Sequence, residues 1–129
     1  MKEEFEEAFN KDEGFIGNNN YHIDEMSEKE VVLSALITKT SMNPYNMAHG
    51  GFIFGLGDTA MGSLVRTTGK TGVTLTANIN YLRPAIEGKI KAVAHIIKNG
   101  NKTCYVEANI YDEKEKIIAS MNATYYYVD

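Results

Sequence analysis

Residues 51–68 read GFIFGLGDTAMGSLVRTT, an apolar segment that contains only two charged side chains, Asp58 and Arg66. Its apolar residues recur at the three- and four-residue intervals of a helix and cover most of the circumference. These residues are Phe52, Ile53, Leu56, Ala60, Met61, Leu64 and Val65. Because a helix that is apolar on nearly every side is normally buried, the sequence predicts one long helix at the centre of the protein.

Three glycines interrupt this helix, at positions 55, 57 and 62. Each glycine lowers helix stability by about 1 kcal/mol relative to alanine. We therefore expect another backbone or a ligand to come close to the helix at these positions.

Strands precede and follow the helix along the chain. Residues 73–81 alternate strictly between apolar and polar side chains, which is the period of a strand. Further strands are predicted at residues 21–26, 31–38, 88–98, 103–111 and 116–127, with turn-forming residues between them. The short connections favour antiparallel neighbours. This order predicts an α+β fold in which a curved antiparallel sheet wraps around one long central helix.

The N-terminal segment is predicted to be a helical extension of a single domain. Phe5, Ala8 and Phe9 are spaced as on one face of a short helix over residues 2–10, and GNNN at residues 17–20 predicts a turn. A chain of 129 residues has the length of one domain, residues 1–129, of which residues 1–13 form the extension. Because an open sheet leaves an edge strand that a second copy can cover, we expect a homodimer.

Composition excludes several classes of partner. Hydrophobic residues make up 43% of the chain and charged residues 23%, as in ordinary globular proteins. The net charge is -4 and no stripe of basic residues appears, so we expect no nucleic-acid partner. No segment approaches the ~20 apolar residues of a membrane span, and the acidic start does not have the pattern of a targeting segment. With Cys104 as the single cysteine, a cytoplasmic protein without disulfides is expected.

The usual catalytic motifs are missing from the sequence. His22, His49 and His95 are far apart and have no partner at metal-ligand spacing, so no metal is expected. The chain also has no glycine-rich phosphate-binding motif and no GxSxG motif. Cys104 lies within a predicted strand without a neighbouring histidine, which favours a small core residue over a nucleophile.

The remaining candidates are NPYNMAHGG at residues 43–51 and Asp58 within the apolar helix. A buried carboxylate without partners is costly, so Asp58 is either held by neighbouring hydroxyls and amides as a structural residue or faces a cleft. The Gly50-Gly51 pair could relieve crowding at the helix start. Alternatively, backbone N–H groups at this helix start could bind an oxygen that gains negative charge.

The separation of Gly50 and Asp58 adds a geometric condition. They are eight positions apart, which is about 12 Å along a helix. One chain therefore cannot place both groups on one carbonyl. If both serve one reaction, Asp58 of one chain must meet Gly50 of another.

Asn43, the HGG motif at residues 49–51, Asp58 and the strand that ends NINYLRP at residues 78–84 resemble the hotdog-fold acyl-CoA thioesterases of the phenylacetate-pathway (PaaI-type) branch. The resemblance extends over about residues 14–127. It implies the hotdog fold, active sites at the interface of a homodimer, and pairing of two dimers into a tetramer. It also implies hydrolysis of a thioester to a carboxylate and free coenzyme A. Since coenzyme A is then part of the acyl-CoA substrate, no separate cofactor is expected.

The resemblance also implies roles for individual residues. Gly50 presents its N–H to the thioester carbonyl, and Asp58 of the other subunit acts as nucleophile or as general base on water. Asn43 helps to hold the carbonyl or the water, while Thr74 places its hydroxyl beside Asp58. The residues expected to shape the helix start or line the coenzyme A channel are His49, Gly51, Arg83, Pro84, Gly100, Asn101 and Lys102. Alternatively, Lys102 is only a solvated charge at the end of a strand. Asn46 occupies a position where the family commonly has glycine, and it is expected to adopt a positive φ.

Two other functions stay open, because a fold does not determine function. One is a module that binds acyl-CoA without cleaving it, and the other is a purely structural oligomerising domain. The presence of Asp58 together with Asn43 and Gly50 favours the enzyme. The acyl group is left open, although the candidate lining of an apolar pocket can be named: Phe52, Phe54, Met61 and Tyr81.

Overall fold

The computed structural model describes residues 2–129, so Met1, the first residue of the predicted domain, lies outside the described residues. Its elements are α1 (Lys2–Asn10), α2 (Phe15–Asn18), β1 (Tyr21–Met26), β2 (Val31–Leu36), a 3-10 turn (Lys39–Ser41), α3 (Gly50–Arg66), β3 (Gly72–Tyr81), β4 (Lys89–Asn99), β5 (Thr103–Tyr111) and β6 (Ile117–Tyr127). The predicted long helix, the N-terminal helix and all the predicted strands are confirmed, with ends that differ from the prediction by at most two residues. None of the described helices is long and apolar enough to cross a membrane.

One prediction in the N-terminal segment is wrong in part. Residues 15–18 form the short helix α2, which overlaps the start of the predicted turn at residues 17–20. The Asp12 carboxylate accepts hydrogen bonds from the backbone N–H of Gly14 at 2.9 Å and of Gly17 at 3.2 Å. These two bonds satisfy backbone donors at the start of α2, where no intrahelical acceptor exists.

All six strands form one antiparallel sheet in the order β1-β2-β4-β5-β6-β3. The central helix α3 packs against all of them, so the sheet wraps around it as predicted. The four strands after α3 are not all sequential neighbours, however, because β3 pairs with β6 while β4 pairs with β2. Residues 82–88 connect β3, at one edge of the sheet, to β4 beside β2. The Ala48 N–H donates a hydrogen bond to the Ala85 carbonyl and holds this segment in place.

Close packing explains two of the three glycines in α3. A Cβ on Gly55 would collide with the Tyr21 hydroxyl, and one on Gly57 would collide with the Met121 sulfur. The close neighbours are thus side chains and not the backbone or ligand that was expected. At Gly62 a Cβ would make only ordinary contact with the Tyr125 ring, at 3.6 Å.

The two edges of the sheet differ in how they are covered. At the β1 edge, α1 packs on the strand, and the Asn10 side-chain oxygen accepts a hydrogen bond from the Ile23 N–H at 3.0 Å. At the other edge, β3 has β6 on one side and no strand of residues 2–129 on the other. Val73, Leu75 and Tyr81 on β3 are each at least half exposed. A long apolar edge strand of this kind is the type of surface that proteins normally cover.

Candidate active site

Asp58 lies on α3 and is held by two hydroxyl groups from the sheet. The Thr74 hydroxyl donates to Asp58 Oδ1 at 2.8 Å. The Tyr125 hydroxyl lies 2.6 Å from the same oxygen and 2.7 Å from the Asp58 carbonyl oxygen. We call these three residues the Asp58 cluster. Within residues 2–129 no hydrogen bond is made to Asp58 Oδ2, so this oxygen is available to a ligand.

The Tyr125 hydroxyl stays protonated beside the carboxylate. Burial raises the pKa of Tyr125 well above its usual value, and the negative charge of Asp58 raises it further. Because the phenol keeps its proton at all ordinary pH values, it acts toward Asp58 as a donor. The two hydroxyls therefore fix the rotamer of the carboxylate and determine which oxygen remains free.

The start of α3 forms a second group of candidate residues. His49 is the N-cap of α3, and its Nδ1 accepts the Gly51 N–H at 2.8 Å. This cap is the geometry expected of a residue that shapes the helix start. The N–H of Gly50 belongs to the first turn, where no intrahelical acceptor exists. The Tyr81 hydroxyl from β3 donates to the Gly50 carbonyl at 2.7 Å and thereby fixes this residue.

The loop before α3 is organised by Asn43. Its side-chain oxygen accepts hydrogen bonds from the N–H groups of Tyr45 at 2.9 Å and Met47 at 3.2 Å. Asn46 has a φ of 62°, so the predicted positive φ is confirmed. Asn43 Oδ1 is thus committed to the loop, and only its amide nitrogen is left to contact a ligand.

The remaining predicted site residues fall into two places that are far apart in one chain. Arg83 and Pro84 follow β3 in the segment that is bonded to the loop just before the helix start. Gly100, Asn101 and Lys102 form the turn between β4 and β5, where the Asn101 carbonyl accepts from Lys70 Nζ at 3.3 Å, just beyond the helix end. The 17 residues of α3 separate its ends by about 25 Å. A single chain therefore does not bring all the predicted residues together.

An open cavity of about 610 Å³ adjoins the Asp58 cluster. Its lining combines the cluster with residues from α1 and from the Asp58 side of α3. Of the residues predicted to line an apolar pocket, Phe52 and Met61 are buried in the core, and neither Phe54 nor Tyr81 lines this cavity of the single chain.

Sequence reasoning missed Tyr125 as a site residue. Tyr125 stands opposite Thr74 in the pairing of β3 with β6. The strand pattern predicts that an inward-facing tyrosine is a core residue. The sequence of residues 117–127 does not indicate that Tyr125 contacts Asp58. In the part of the chain that the structure describes, no three His, Cys, Asp or Glu side chains are grouped so that they could hold a metal ion.

Comparison with known proteins identifies esterases and thioesterases that are similar to this chain. Residues 45–119 match the sequence profile described as Thioesterase superfamily. The chain is 32% identical over 106 residues to a putative esterase of Archaeoglobus fulgidus, covering 81% of this chain and 69% of that protein. It is 29% identical over 95 residues to the acyl-coenzyme A thioesterase PaaI of Escherichia coli, covering 73% of this chain and 68% of that protein.

Solved structures extend the likeness to the fold. The structure of Escherichia coli PaaI superposes with a TM-score of 0.92 at 22% identity, covering 99% of this chain and 94% of that chain. This confirms the hotdog fold that the sequence predicted. A hypothetical thioesterase of Streptococcus pneumoniae, whose crystal structure includes coenzyme A, has a TM-score of 0.81 at 29% identity, covering 84% of this chain and 89% of that chain.

Proposed function

The chain belongs to the thioesterase superfamily, and we propose that it hydrolyses acyl-CoA thioesters to a carboxylate and free coenzyme A. Its likeness to the acyl-coenzyme A thioesterase PaaI and to a thioesterase that binds coenzyme A supports this substrate class. The observation that carries the proposal is the Asp58 cluster. A carboxylate inside an apolar helix, with one oxygen held by two hydroxyls and the other free beside a cavity, is poised for chemistry.

Asp58 Oδ2 is the reacting oxygen in this proposal, by either of two routes. As a general base it takes a proton from water while the water oxygen attacks the thioester carbon. As a nucleophile it attacks that carbon itself, and water then hydrolyses the mixed anhydride. In both routes the carbon–sulfur bond breaks, and the coenzyme A thiolate takes up the proton that Asp58 or water released.

The Gly50 N–H is the proposed donor to the carbonyl oxygen as that oxygen gains negative charge. It lies at the positive end of the α3 dipole, and its orientation is fixed by the His49 cap and by the Tyr81 hydroxyl. The free amide nitrogen of Asn43 can donate to the same oxygen. A pre-oriented donor of this kind typically contributes a factor of about 100 to 1000 to kcat.

Because Gly50 and Asp58 are about 12 Å apart along one helix, we propose that two chains build each site. The exposed edge of β3, which carries Thr74 and Tyr81, is the surface on which a second copy would pair. Each active site then takes Gly50 and Asn43 from one subunit and Asp58, Thr74 and Tyr125 from the other. A further pairing into a dimer of dimers is expected from the family.

The other predicted residues have supporting roles in this proposal. Arg83 and Pro84 at one end of the site, with Gly100, Asn101 and Lys102 at the other, would contact the coenzyme A portion. All of them except Gly100 are exposed in the single chain, as residues that meet a large polar ligand should be. His49 and Gly51 act through the shape of the helix start and do not transfer a proton.

The test is Asp58→Asn, followed by thiol release from a panel of acyl-CoA substrates. The amide has nearly the same shape but can neither attack a thioester nor accept a proton from water, so kcat should fall by at least about 1000-fold. Asp24→Asn is the matched control, because Asp24 also accepts a hydroxyl, from Ser34 at 3.0 Å, but lies on β1. Hydrolysis near the wild-type rate by Asp58→Asn would refute the proposal. A wild-type protein that binds acyl-CoA without cleaving it would instead support the binding module.

A further inference from the structure

The N-terminal helix α1 forms one wall of the cavity beside Asp58. Four cavity-lining residues, Phe5, Ala8, Phe9 and Asp12, follow one another at helical intervals and so share one face of α1 and the turn after it. Residues of α3 line the same cavity with Asp58: they are Thr59, Gly62, Ser63 and Arg66. The cavity therefore lies between α1, the Asp58 side of α3 and the start of β3.

This wall is fixed in place and is not a loose terminus. Phe9 is buried in the core, and the Phe5 ring packs against it with centroids 6.1 Å apart and ring planes inclined at 57°. The Asn10 side chain bonds to the edge of β1, and the Asp12 carboxylate holds the turn into α2. A wall that is anchored at its C-terminal end and packed against the core through Phe5 can set the dimensions of a ligand site.

The cavity is polar near Asp58 and apolar near α1, which matches a thioester with a polar carbonyl group and an apolar tail. The Asp58 side carries hydroxyl groups from Thr59, Ser63, Thr74 and Tyr125. The α1 side carries apolar groups from Phe5, Ala8 and Phe9, and Ile16 of α2 adds another. The one charged residue on this side, Asp12, accepts hydrogen bonds from the backbone of Gly14 and Gly17. A carbonyl held near Asp58 would thus direct its apolar tail toward α1.

The volume favours acyl groups larger than acetyl. A cavity of about 150 Å³ holds benzene, and this one measures about 610 Å³. Among the charged groups of the lining, Asp12 and Asp58 outnumber Arg66, which disfavours a carboxylate at the end of the acyl chain.

Phe5 also separates this cavity from a neighbouring one. A second cavity of about 640 Å³ is lined by Lys2, Met26 and Glu28 among others, and it shares Phe5 and Arg66 with the first. Phe5 and Arg66 therefore stand between the two spaces, and removal of the Phe5 ring should widen the first space toward the second. The Phe5 ring thus limits the length of the cavity that an acyl chain can occupy.

We propose that the acyl group of the substrate occupies the cavity between α1 and α3, and that Phe5 and Ala8 set the size of the acyl group that the enzyme accepts. This inference rests on the function proposed above. The substrate class is an uncharged, apolar acyl group of at least about six carbons, aliphatic or aryl. Ala8 limits the width of the cavity and Phe5 limits its length.

The experiment compares kcat/KM for acetyl-, hexanoyl-, decanoyl-, tetradecanoyl-, phenylacetyl- and glutaryl-CoA. Ala8→Phe fills the cavity and should lower the value for decanoyl-CoA about tenfold or more while acetyl-CoA changes less than about twofold. Phe5→Ala should raise the ratio of tetradecanoyl-CoA to hexanoyl-CoA about tenfold. Glu3→Phe is the matched control, since it adds the same ring to α1 at an exposed position outside both cavities, and it should leave all ratios unchanged.

Binding of the thioether analogues S-ethyl-CoA and S-decyl-CoA, measured by calorimetry, separates this inference from the proposed function. If the protein hydrolyses no thioester but Ala8→Phe still weakens S-decyl-CoA selectively, the hydrolysis proposal fails and the acyl site stands. Equal effects of Ala8→Phe on all substrates and both analogues would overturn the acyl site. A preference of the wild-type protein for glutaryl-CoA would overturn the apolar substrate class.

Discussion

The hydroxyl of Tyr125 lies 2.6 Å from Asp58 Oδ1 and 2.7 Å from the carbonyl oxygen of the same residue. One phenol thus ties the side chain of Asp58 to the backbone of the helix that carries it. Thr74 adds a second donor to Oδ1 from the neighbouring strand. The geometry of Asp58 is therefore determined by the pairing of β3 with β6 and not by α3 alone.

Replacement of Tyr125 by phenylalanine should slow catalysis without abolishing it. The Tyr125→Phe variant retains the ring and the Thr74 bond but removes one of the two hydrogen bonds that hold the carboxylate. Since a misplacement of about 1 Å can cost about 100-fold in rate, we expect kcat to fall roughly 10- to 100-fold with little change in KM. Steady-state kinetics on one good substrate measures this.

Tyr126→Phe is the control for that variant. Its ring is adjacent in sequence, lies on the opposite face of β6 and is 44% exposed. It should behave as wild type. If Tyr125→Phe retains the wild-type kcat, the Tyr125 hydroxyl contributes only to packing.

The elements that could be predicted from sequence are those whose signal is local. The period of α3 and the alternation of β3 extend over many residues, and both elements are confirmed. The helix α2 was missed because its four residues are too few to show a period. Its position depends on Asp12, which lies outside it.

The parts of the site that could not be predicted depend on contacts between distant segments. The position of β3 beside β6 follows from the crossing segment at residues 82–88, and a strand pattern does not reveal its partner. Tyr125 and the α1 wall of the cavity become site residues only through that topology. By contrast, Asp58 was singled out because a carboxylate is unusual inside an apolar helix, and His49 because it begins the HGG motif at the helix start.

The glycines of α3 give a test of packing that does not depend on catalysis. Gly62→Ala should raise the free energy of unfolding by up to about 1 kcal/mol, because alanine favours helix and its Cβ finds ordinary contacts. Gly57→Ala gains the same propensity but collides with Met121, and overpacking costs about 1–3 kcal/mol. Thermal unfolding should show opposite shifts in Tm. Shifts of the same sign would contradict the packing described for α3.

Lys102→Ala tests whether the β4–β5 turn contacts the coenzyme A portion. Loss of a phosphate contact remote from the reacting carbon should raise KM about three- to tenfold and leave kcat nearly unchanged. Lys29→Ala removes the same charge from the exposed β1–β2 turn and should have no effect. If both variants have the wild-type KM, Lys102 is a solvated charge at the start of β5.

The last prediction concerns the site built by two chains. Gly50→Pro removes the proposed N–H donor at a helix position that tolerates proline, and His49, with ψ of 139°, already has the conformation required before proline. Gly50→Ala keeps the N–H and adds the same Cβ, which would lie 3.1 Å from the Tyr81 hydroxyl. We expect Gly50→Pro to be inactive and Gly50→Ala to retain substantial activity. Equal loss in both variants would attribute the effect to crowding and not to the N–H.

Mixing the two inactive variants Gly50→Pro and Asp58→Asn should restore activity. Because a two-site interface is symmetric, one site of a mixed dimer contains both substitutions and the other site contains neither. Random pairing makes about half of the dimers mixed, and each has one working site of two, so activity should recover to about one quarter of wild type. Thiol release after co-refolding measures the recovery, and native mass spectrometry verifies that subunits have exchanged. An inactive mixture that nevertheless contains mixed dimers would mean that each site lies within one chain, contrary to the distance of about 12 Å that separates Gly50 from Asp58 along α3.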